Sequence, residues 1–217
     1  MYALFQNRED AGRQLAEKFV RYANRKDVVV LALPRGGVPV GYEVARKLHA
    51  PLALIIVRKL GVPGQDELAM GAIAPGDIQV INAEVVQKLQ ISDETIQAVA
   101  AAEKKELIRQ EQLYHDHSPP VGIQGQKIIL VDDGIATGST MQAAVRVLKQ
   151  QQSDRVMIAV PVASPEAYDL FFRLVDEIVV LAAPSFFQSV GQAYEDFSPT
   201  TDAEVNHLLD SARTACT

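Results

Sequence analysis

Continuous apolar runs alternate along the chain with segments in which apolar residues recur every three or four positions. Continuous runs of this length are typical of strands that are buried on both faces. They occupy residues 28–33, 52–57, 128–131, 155–160 and 177–181. Helical spacing is found at residues 7–25, 39–48, 92–114 and 165–175. Because the two patterns alternate, the sequence predicts an α/β fold with a mainly parallel, twisted sheet and helices on both of its faces.

Short polar signals indicate where several of these helices begin. Asn7, Ser92 and Ser164 each precede a helical segment and can cap it by accepting a hydrogen bond from a first-turn amide. The glycine-rich residues 61–76 predict a loop and a short hairpin. Residues 182–200 are irregular and aromatic, which indicates a small hood at the end of a single domain that spans residues 1–217.

Residues 128–140 read IILVDDGIATGST and carry the most specific chemical signal in the chain. An apolar strand ends in Asp132 and Asp133, a loop of small and hydroxyl residues follows, and a helix comes next. Glycine amides, hydroxyls and a helix N-terminus together form a cradle for phosphate. Two carboxylates repel a bare phosphate, but they accept hydrogen bonds from vicinal sugar hydroxyls. The combination predicts a site for a ribose 5-phosphate.

Two other interpretations of this segment are weaker. An ordinary strand-to-helix turn, capped by Ser139 or Thr140, explains the hydroxyls but not the acid pair. An ATP-binding P-loop requires a lysine directly after its last glycine, and none follows Gly138.

Two further strand ends carry positive charge and flexible backbone. Arg35, Gly36 and Gly37 follow the first predicted strand, and Arg58 and Lys59 follow the second. Ligands of such sheets bind beyond the carboxyl ends of the strands, so these groups are expected to converge with the acid pair. Solvated strand-end cations and a tight Gly-Gly turn are the alternative interpretations.

With these motifs together, the chain resembles the type I phosphoribosyltransferase family, and within it an uncharacterised bacterial branch. The resemblance rests on ALPRGG (32–37), VRKLG (57–61), ELAMGAI (67–73), the 128–140 segment and VG-x-x-Y-x-DF (190–197). It implies that phosphoribosyl pyrophosphate is a substrate. The residues that it implies for the ribose and 5-phosphate are Asp132, Asp133, Gly134, Ala136, Thr137, Gly138, Ser139 and Thr140. Those implied for the pyrophosphate are Arg35, Gly36, Gly37, Arg58 and Lys59.

The same resemblance implies the chemistry. A nitrogenous base or related acceptor takes the phosphoribosyl group and pyrophosphate is released, with Arg35 and Lys59 as the catalytic residues. Mg²⁺ is expected on the pyrophosphate, held through substrate oxygens and waters without a dedicated protein site; the alternative makes Asp132 and Asp133 its primary ligands. Residues 60–70 correspond to the flexible catalytic loop of the family, and Glu67 is a speculative member of it.

The acceptor is less defined than the donor. Ala136 stands where enzymes for 6-oxopurines carry an aspartate, and the adenine-type loop is closer. Phe186 and Phe187 lie in a segment similar to the family's purine-stacking hood, so either ring is a candidate to stack on a base. Packing of both rings in the core is the alternative.

Composition narrows the class of protein. The 217 residues carry a net charge of −6 and no long basic run, which argues against nucleic-acid and membrane partners. The single cysteine, Cys216, and an N-terminus unlike a signal peptide predict a cytoplasmic protein. The partners expected are small-molecule substrates, and a homodimer is usual for the family.

Three functional classes remain open from the sequence. The first is a phosphoribosyltransferase of the nucleotide salvage type. The second is a noncatalytic regulator that binds phosphoribosyl pyrophosphate, and the third is another transferase or hydrolase acting on ribose phosphates. The cations Arg35, Arg58 and Lys59 favour catalysis, because a sensor has no need to stabilise a departing pyrophosphate.

Overall fold

A computed structural model describes residues 3–118 and 121–215, apart from the side chains of residues 66, 67 and 215. The predictions that concern the first two residues, the Glu67 side chain and Cys216 lie outside this part of the chain. Two compact units are present. The first unit comprises Met1–Ile55, Asp116–Thr137 and Gln152–Thr217, and the second comprises Ile56–His115 and Gly138–Gln151.

The strands, in chain order, are β1 (Val28–Ala32), β2 (Leu52–Leu54), β3 (Arg58–Val62), β4 (Gln65–Ala74), β5 (Ile78–Ile81), β6 (Lys127–Val131), β7 (Arg155–Val162) and β8 (Glu177–Ala182). The α-helices are α1 (Arg8–Ala16), α2 (Gly37–Leu48), α3 (Ala83–Leu89), α4 (Asp93–Tyr114), α5 (Ser139–Gln150), α6 (Pro165–Leu174) and α7 (Asp202–Ala215). Two 3-10 helices occupy Glu17–Tyr22 and Val190–Ala193.

Within the described residues of the first unit, five strands form one sheet in the order β2-β1-β6-β7-β8. Every neighbouring pair is parallel. The apolar runs of β1 and β6 supply the centre of the core, where Val28, Val30, Ile128 and Leu130 are fully buried. Helices flank the sheet, so the predicted α/β fold is confirmed.

The predicted helix starts are confirmed by their caps. The Asn7 side chain accepts a hydrogen bond from the Asp10 amide at 2.9 Å. Ser92 Oγ accepts from the Thr95 amide at 3.3 Å, and Ser164 Oγ accepts from the Ala167 amide at 3.1 Å. The first helix is shorter than predicted, because α1 ends at Ala16 and the chain tightens into a 3-10 helix that continues only to Tyr22.

The second unit contains an antiparallel sheet in the order β3-β4-β5, with α3, α4 and α5. The predicted strand 52–57 was too long: β2 ends at Leu54, and the Ile55 amide still bonds to Ala32 before the chain leaves the parallel sheet. Arg58 and Lys59 therefore begin β3 instead of following a parallel strand, which corrects their predicted position. The apolar run concealed the boundary, since residues 55–57 stay buried in an irregular segment.

Two helices were missed by the sequence analysis. Helix α3 buries none of its side chains, so it lacks an apolar stripe to reveal it. Helix α7 has that stripe, because Val205, Leu209 and Ala212 are buried at helical spacing. Residues 182–200 are largely irregular, as predicted, while the prediction that they form a hood within a single domain stays a prediction.

Candidate functional site

Strand β6 carries Asp132 and Asp133 out of the core of the first unit. The last four side chains of β6 are buried and apolar, so the next two residues are the first polar groups at the end of the strand. The Asp133 amide donates to Asp132 Oδ1 at 2.9 Å, which folds the pair into a tight turn. Both residues are half-buried, and they therefore form a small acidic surface at the carboxyl end of the sheet.

The loop between β1 and α2 lies directly against this acid pair. The Leu33 amide donates to the Val131 carbonyl at 3.0 Å, which ties the loop to the end of β6. A Cβ atom added to Gly37 would lie 2.8 Å from the Val131 carbonyl oxygen and 2.9 Å from Asp132 Cα. One added to Gly36 would collide with the Asp133 carboxylate. Two predicted motifs are therefore brought together, and the approach is close enough to require glycine.

Arg35 precedes these glycines and points to a different neighbour. Its side chain is half-exposed, and Nη1 lies 3.8 Å from Oδ1 of Asp202, the first residue of α7. The Pro34–Arg35 peptide bond is cis. Arg35 is thus a solvent-accessible cation on the loop whose glycines touch the acid pair.

Arg8 binds the acid pair and was missed by the sequence analysis. Its Nε donates to Asp133 Oδ2 at 2.9 Å, and only 11% of the Arg8 side chain is exposed. Its Nη1 donates to the Ser198 carbonyl at 2.8 Å, and its guanidinium lies 4.0 Å from the centroid of the Phe197 ring. No local signal could have found this contact, because Arg8 and Asp133 are 125 positions apart.

The tail motif 190–197 also reaches the acid pair. Tyr194 Oη donates to the Asp133 carbonyl at 2.6 Å, and its ring stacks with that of Phe197 at a centroid distance of 5.1 Å. Gly191 is needed because an added Cβ would lie 2.8 Å from the Phe197 ring. We call residues 190–198 the tail clamp, since they hold both Asp133 and Arg8.

Burial and mutual repulsion make the two carboxyls unequal acids. Burial, reinforced by the charge of Asp133, raises the pKa of Asp132 well above its usual range. Burial also raises the pKa of Asp133, but Arg8 opposes that increase by its charge and its hydrogen bond. Burial raises the pKa of Tyr194 as well, so its hydroxyl stays protonated and donates.

The loop that follows the acids, residues 134–137, is packed against its neighbours at its start and exposed to solvent at its end. An added Cβ on Gly134 would lie 2.6 Å from the Val190 side chain in the tail clamp, so a larger residue here would have to displace its neighbours. Ile135 pairs with Ala163 in a parallel bridge, and Ser164 Oγ donates to the Ala136 carbonyl at 2.9 Å. The side chains of Ala136 and Thr137 are exposed. Gly134 and Ile135 are therefore fixed by packing, while the side chains of Ala136 and Thr137 remain accessible.

The remaining signature residues belong to the second unit. Gly138 has a φ of 75°, a left-handed conformation that favours glycine, and it caps the 12-residue helix α5. Ser139 and Thr140 form the first turn of α5, where backbone amides have no partner within the helix. Such a turn suits an anion.

Arg58 and Lys59 also lie in the second unit, at the start of β3. Lys59 is opposite Ala72 in the antiparallel ladder, and Arg58 is opposite Ile73. The Arg58 guanidinium forms a 2.7 Å salt bridge with Glu103 on α4. Residues 60–70, which correspond to the family's catalytic loop, lie largely in the β3–β4 hairpin, in the stretch where a short hairpin was predicted.

The two candidate aromatic residues are placed differently. Phe187 packs against a buried cluster that includes Phe5 and Tyr194, as the core alternative predicts. Phe186 is 84% exposed and remains available to a ligand.

Comparisons with known proteins agree with the phosphoribosyl signature in the sequence. The family model described as "Phosphoribosyl transferase domain" matches residues 2–175. Two Mycobacterium tuberculosis proteins, named "Putative phosphoribosyl transferase MT0597" and "Putative phosphoribosyl transferase Rv0571c", are each 44% identical over 209 residues, or 96% of this chain. The chain spans 47% of the length of each of these relatives.

A solved structure is similar over nearly the whole chain. The crystal structure of TT1426 from Thermus thermophilus is 38% identical, with a TM-score of 0.88, and the match covers 97% of this chain and 99% of that one. No helix within the described residues has the length and apolar character needed to cross a membrane. The sequence motif, the parallel sheet and the family match agree, and the chain belongs to the phosphoribosyl transferase domain family.

Proposed function

We propose that the protein transfers the 5-phosphoribosyl group of phosphoribosyl pyrophosphate to a nitrogenous base or related acceptor and releases pyrophosphate. The observation that carries this proposal is the contact between Gly36–Gly37 and Asp132–Asp133 at the carboxyl end of the parallel sheet. The glycine backbone there suits the anionic leaving group of the ligand, and the paired acids suit the vicinal hydroxyls of its sugar.

In the proposed complex, Asp132 and Asp133 accept hydrogen bonds from the ribose hydroxyls. The exposed loop after them and the first turn of α5 hold the 5-phosphate through amides and hydroxyls; these residues are Gly134, Ala136, Thr137, Gly138, Ser139 and Thr140. Arg35 and the Gly36–Gly37 backbone bind the pyrophosphate, with Gly36 as the amide donor because the Gly37 amide already donates to the Leu33 carbonyl at 3.1 Å. Arg58 and Lys59 are proposed as further pyrophosphate ligands, with Arg35 and Lys59 acting in catalysis.

The reaction breaks the bond between C1 of the ribose and the pyrophosphate oxygen, which leaves with the bonding electrons. A nitrogen lone pair of the acceptor attacks the opposite face of C1 and forms the new bond, and the acceptor nitrogen gives up its proton. Negative charge grows on the leaving oxygen, so fixed cations and amides there lower the barrier. Arg35 is suited to this task because its guanidinium is accessible and offers several N–H donors to an anionic oxygen.

Magnesium is proposed to enter with the substrate. The described residues contain no group of three or more acidic, histidine or cysteine side chains that could hold a metal ion. Asp132 and Asp133 supply too few oxygens for a complete magnesium site, and Arg8 already engages one of them. We therefore propose that the ion would be held by pyrophosphate oxygens and water, where its charge would neutralise the leaving group.

The acceptor is the least defined part of the proposal. Ala136 offers a methyl group at an exposed loop position and cannot assist an oxopurine as an aspartate would. Phe186 is the stacking candidate that remains exposed, while Phe187 is engaged in packing. A flat heterocycle that needs no acidic partner at position 136 is therefore the class to test first.

The test is a screen of nucleobases and related heterocycles with phosphoribosyl pyrophosphate and Mg²⁺ that measures pyrophosphate release. Release that depends on one heterocycle supports the transferase. Binding of phosphoribosyl pyrophosphate without turnover for any acceptor would instead indicate the noncatalytic regulator. Release without any acceptor would indicate a hydrolase. Asp132→Asn/Asp133→Asn is the control for contaminating activity.

A further inference from the structure

Arg8 is an enclosed cation whose main partner is one member of the acid pair. Its Nε lies 2.9 Å from Asp133 Oδ2, and the exposed fractions of the two side chains are 11% and 14%. An enclosed arginine is held by desolvated, charge-assisted hydrogen bonds, which are stronger and more directional than exposed ones. Arg8 therefore constrains the orientation of the Asp133 carboxylate far more than a surface salt bridge would.

The tail clamp in turn fixes Arg8. The guanidinium lies 4.0 Å from the Phe197 ring centroid, within the range of a cation–π contact, and Nη1 is held by the Ser198 carbonyl. The tail clamp is also hydrogen-bonded to the residues before α1, because the Glu195 amide donates to the Phe5 carbonyl at 2.9 Å. Arg8 thus has little freedom to leave Asp133.

The same clamp reaches the backbone of Asp133. Tyr194 Oη donates to the Asp133 carbonyl at 2.6 Å, so Asp133 is held at its carbonyl by Tyr194 and at its carboxylate by Arg8. The Arg8 hydrogen bond is made to Oδ2, so Oδ1 is the carboxylate oxygen that this bond does not engage. Three parts of the chain, residues 8, 133 and 194–198, therefore build one arrangement around the Asp133 carboxylate.

We infer that Arg8, held by the tail clamp, is a positioning residue for phosphoribosyl binding: it fixes Asp133 Oδ2 so that Oδ1 faces a ribose hydroxyl. This inference rests on the proposed function. It also gives the 190–197 motif a role on the ribose side of the site, separate from stacking on a base. Arg8 acts through Asp133 and is not itself a catalytic residue.

The charges around Asp133 give this role a distinctive pH dependence. Asp132 is adjacent, Tyr194 contacts the Asp133 backbone, and the nearby Gly36 loop carries Arg35, which faces Asp202. Burial raises the pKa of Asp133, and Arg8 lowers it. Without Arg8 that pKa rises further, so more of Asp133 is protonated at a given pH, and the carboxylate returns only as the pH increases. A purely structural role for Arg8 predicts a loss of affinity that does not depend on pH.

The experiment compares Arg8→Gln, Arg8→Lys and Phe197→Leu with the unaltered protein. Arg13→Gln is the matched control, because Arg13 lies on the same helix and is exposed. Calorimetry measures the affinity for phosphoribosyl pyrophosphate with Mg²⁺ between about pH 5 and about pH 9, a range that spans the titration of a perturbed carboxyl. Carboxyl carbon NMR follows the ionisation of Asp133 in the absence of ligand.

We expect Arg8→Gln to weaken binding about tenfold or more at the acidic end of this range, because Asp133 without its arginine partner is protonated to a greater extent there. The deficit should shrink as the pH rises, and the NMR midpoint of Asp133 should move upward. Arg8→Lys retains the charge and should show a smaller shift. Phe197→Leu should lie between the unaltered protein and Arg8→Gln, and Arg13→Gln should match the unaltered protein.

Each failure has its own signature. If the unaltered protein does not bind phosphoribosyl pyrophosphate, the proposed function is wrong and the inference falls with it. If the unaltered protein binds, an unchanged Asp133 midpoint in Arg8→Gln overturns the Arg8 role alone. A deficit of equal size at every pH also overturns it, and would leave Arg8 as a packing residue. Should Arg8→Gln not fold, the Arg8→Lys and Phe197→Leu titrations decide by the same criteria.

Discussion

The acid pair in the first unit and the Arg58–Lys59 hairpin in the second are stabilised in opposite ways. Asp133 is held by Arg8 and Tyr194, which are 125 and 61 positions away in the chain. Lys59 is held in an antiparallel hairpin by Ala72, and Arg58 is paired with Glu103 on a helix of the same unit. Only 14% of the Asp133 side chain is exposed, compared with 34% of the Arg58 side chain.

This difference separates two kinds of binding group. An enclosed carboxylate with fixed partners is arranged before the ligand arrives, so little free energy is lost in ordering it. A half-exposed cation in a surface salt bridge can exchange its partner for a ligand at small cost, since such a bridge contributes about 0–1 kcal/mol. We therefore expect substitutions at the acid pair to affect binding strongly, and those at Arg58 to leave the fold almost unaffected.

The largest expected effect comes from Asp132→Asn/Asp133→Asn. Hydrogen bonds to charged groups contribute about 1.5–3 kcal/mol each, so the loss of two should weaken phosphoribosyl pyrophosphate binding by about 100-fold or more. The fold should be retained, because the amide oxygen of an asparagine can still accept the Arg8 hydrogen bond. Calorimetry measures the first outcome and thermal unfolding the second. Unchanged affinity would contradict the proposed cradle.

A raised pKa in the folded state also sets the sign of a stability difference. Asp132 and Asp133 bind protons more readily in the folded chain than in the unfolded one, so their ionisation above about pH 4 destabilises the fold. The doubly substituted protein lacks this penalty. Its unfolding temperature relative to the unaltered protein should therefore increase as the pH rises from about 4 toward neutrality.

The next effect in size is on turnover. Lys59→Ala should lower kcat by about 100-fold with a smaller change in KM, if Lys59 stabilises the leaving pyrophosphate in the transition state. Lys88→Ala, an exposed lysine in the same unit, is the control and should leave both constants unchanged. Equal losses in affinity and turnover would mean that Lys59 holds the bound substrate without favouring the transition state.

A smaller effect, on stability, tests the contact between the two loops of the first unit. Gly37→Ala should lower the free energy of unfolding by about 1–3 kcal/mol, because the added methyl meets backbone atoms that cannot rotate away. Gly122→Ala is the matched control, since an added Cβ there meets nothing within 4 Å. Urea unfolding of both proteins gives the comparison, and equal stabilities would show that the loops can separate freely.

The smallest effect is expected at the hairpin. Arg58→Gln should change the free energy of unfolding by less than about 1 kcal/mol, as is usual for a partly exposed salt bridge. Glu103→Gln should have a similar effect, and the double substitution should show little additional loss. A large loss of stability in Arg58→Gln would contradict the view that the hairpin cation, unlike the acid pair, is only weakly held in the fold.

The parts of the site that lie beside their strands were predictable from short stretches of sequence. Asp132 and Asp133 follow an apolar run, and Gly36 and Gly37 follow another, so chain order alone predicted that they meet at one edge of a parallel sheet. The boundary at β2 was not predictable in this way. An apolar residue in a buried irregular segment has the same pattern as one in a strand, and residues 55–57 are of that kind.

Arg8 and the tail clamp show where such inference ends. Arg8 occupies the first turn of an ordinary amphipathic helix, and its residue type and spacing are the same as those of a solvated cation. Tyr194 and Phe197 were noticed only as part of the family motif at 190–197, and the structure shows that they contact Asp133 and Arg8.

The sequence alone predicted three features of this protein. They are the alternation of buried strands with amphipathic helices, the helix caps at Asn7, Ser92 and Ser164, and the phosphoribosyl signature. Each depends on neighbours within a few positions, because burial, hydrogen-bond periodicity and capping are local properties. The pairing of Arg8 with Asp133 and the division into two units needed the folded chain. Contacts over more than a hundred positions are selected by topology and packing, for which a linear pattern carries no marker.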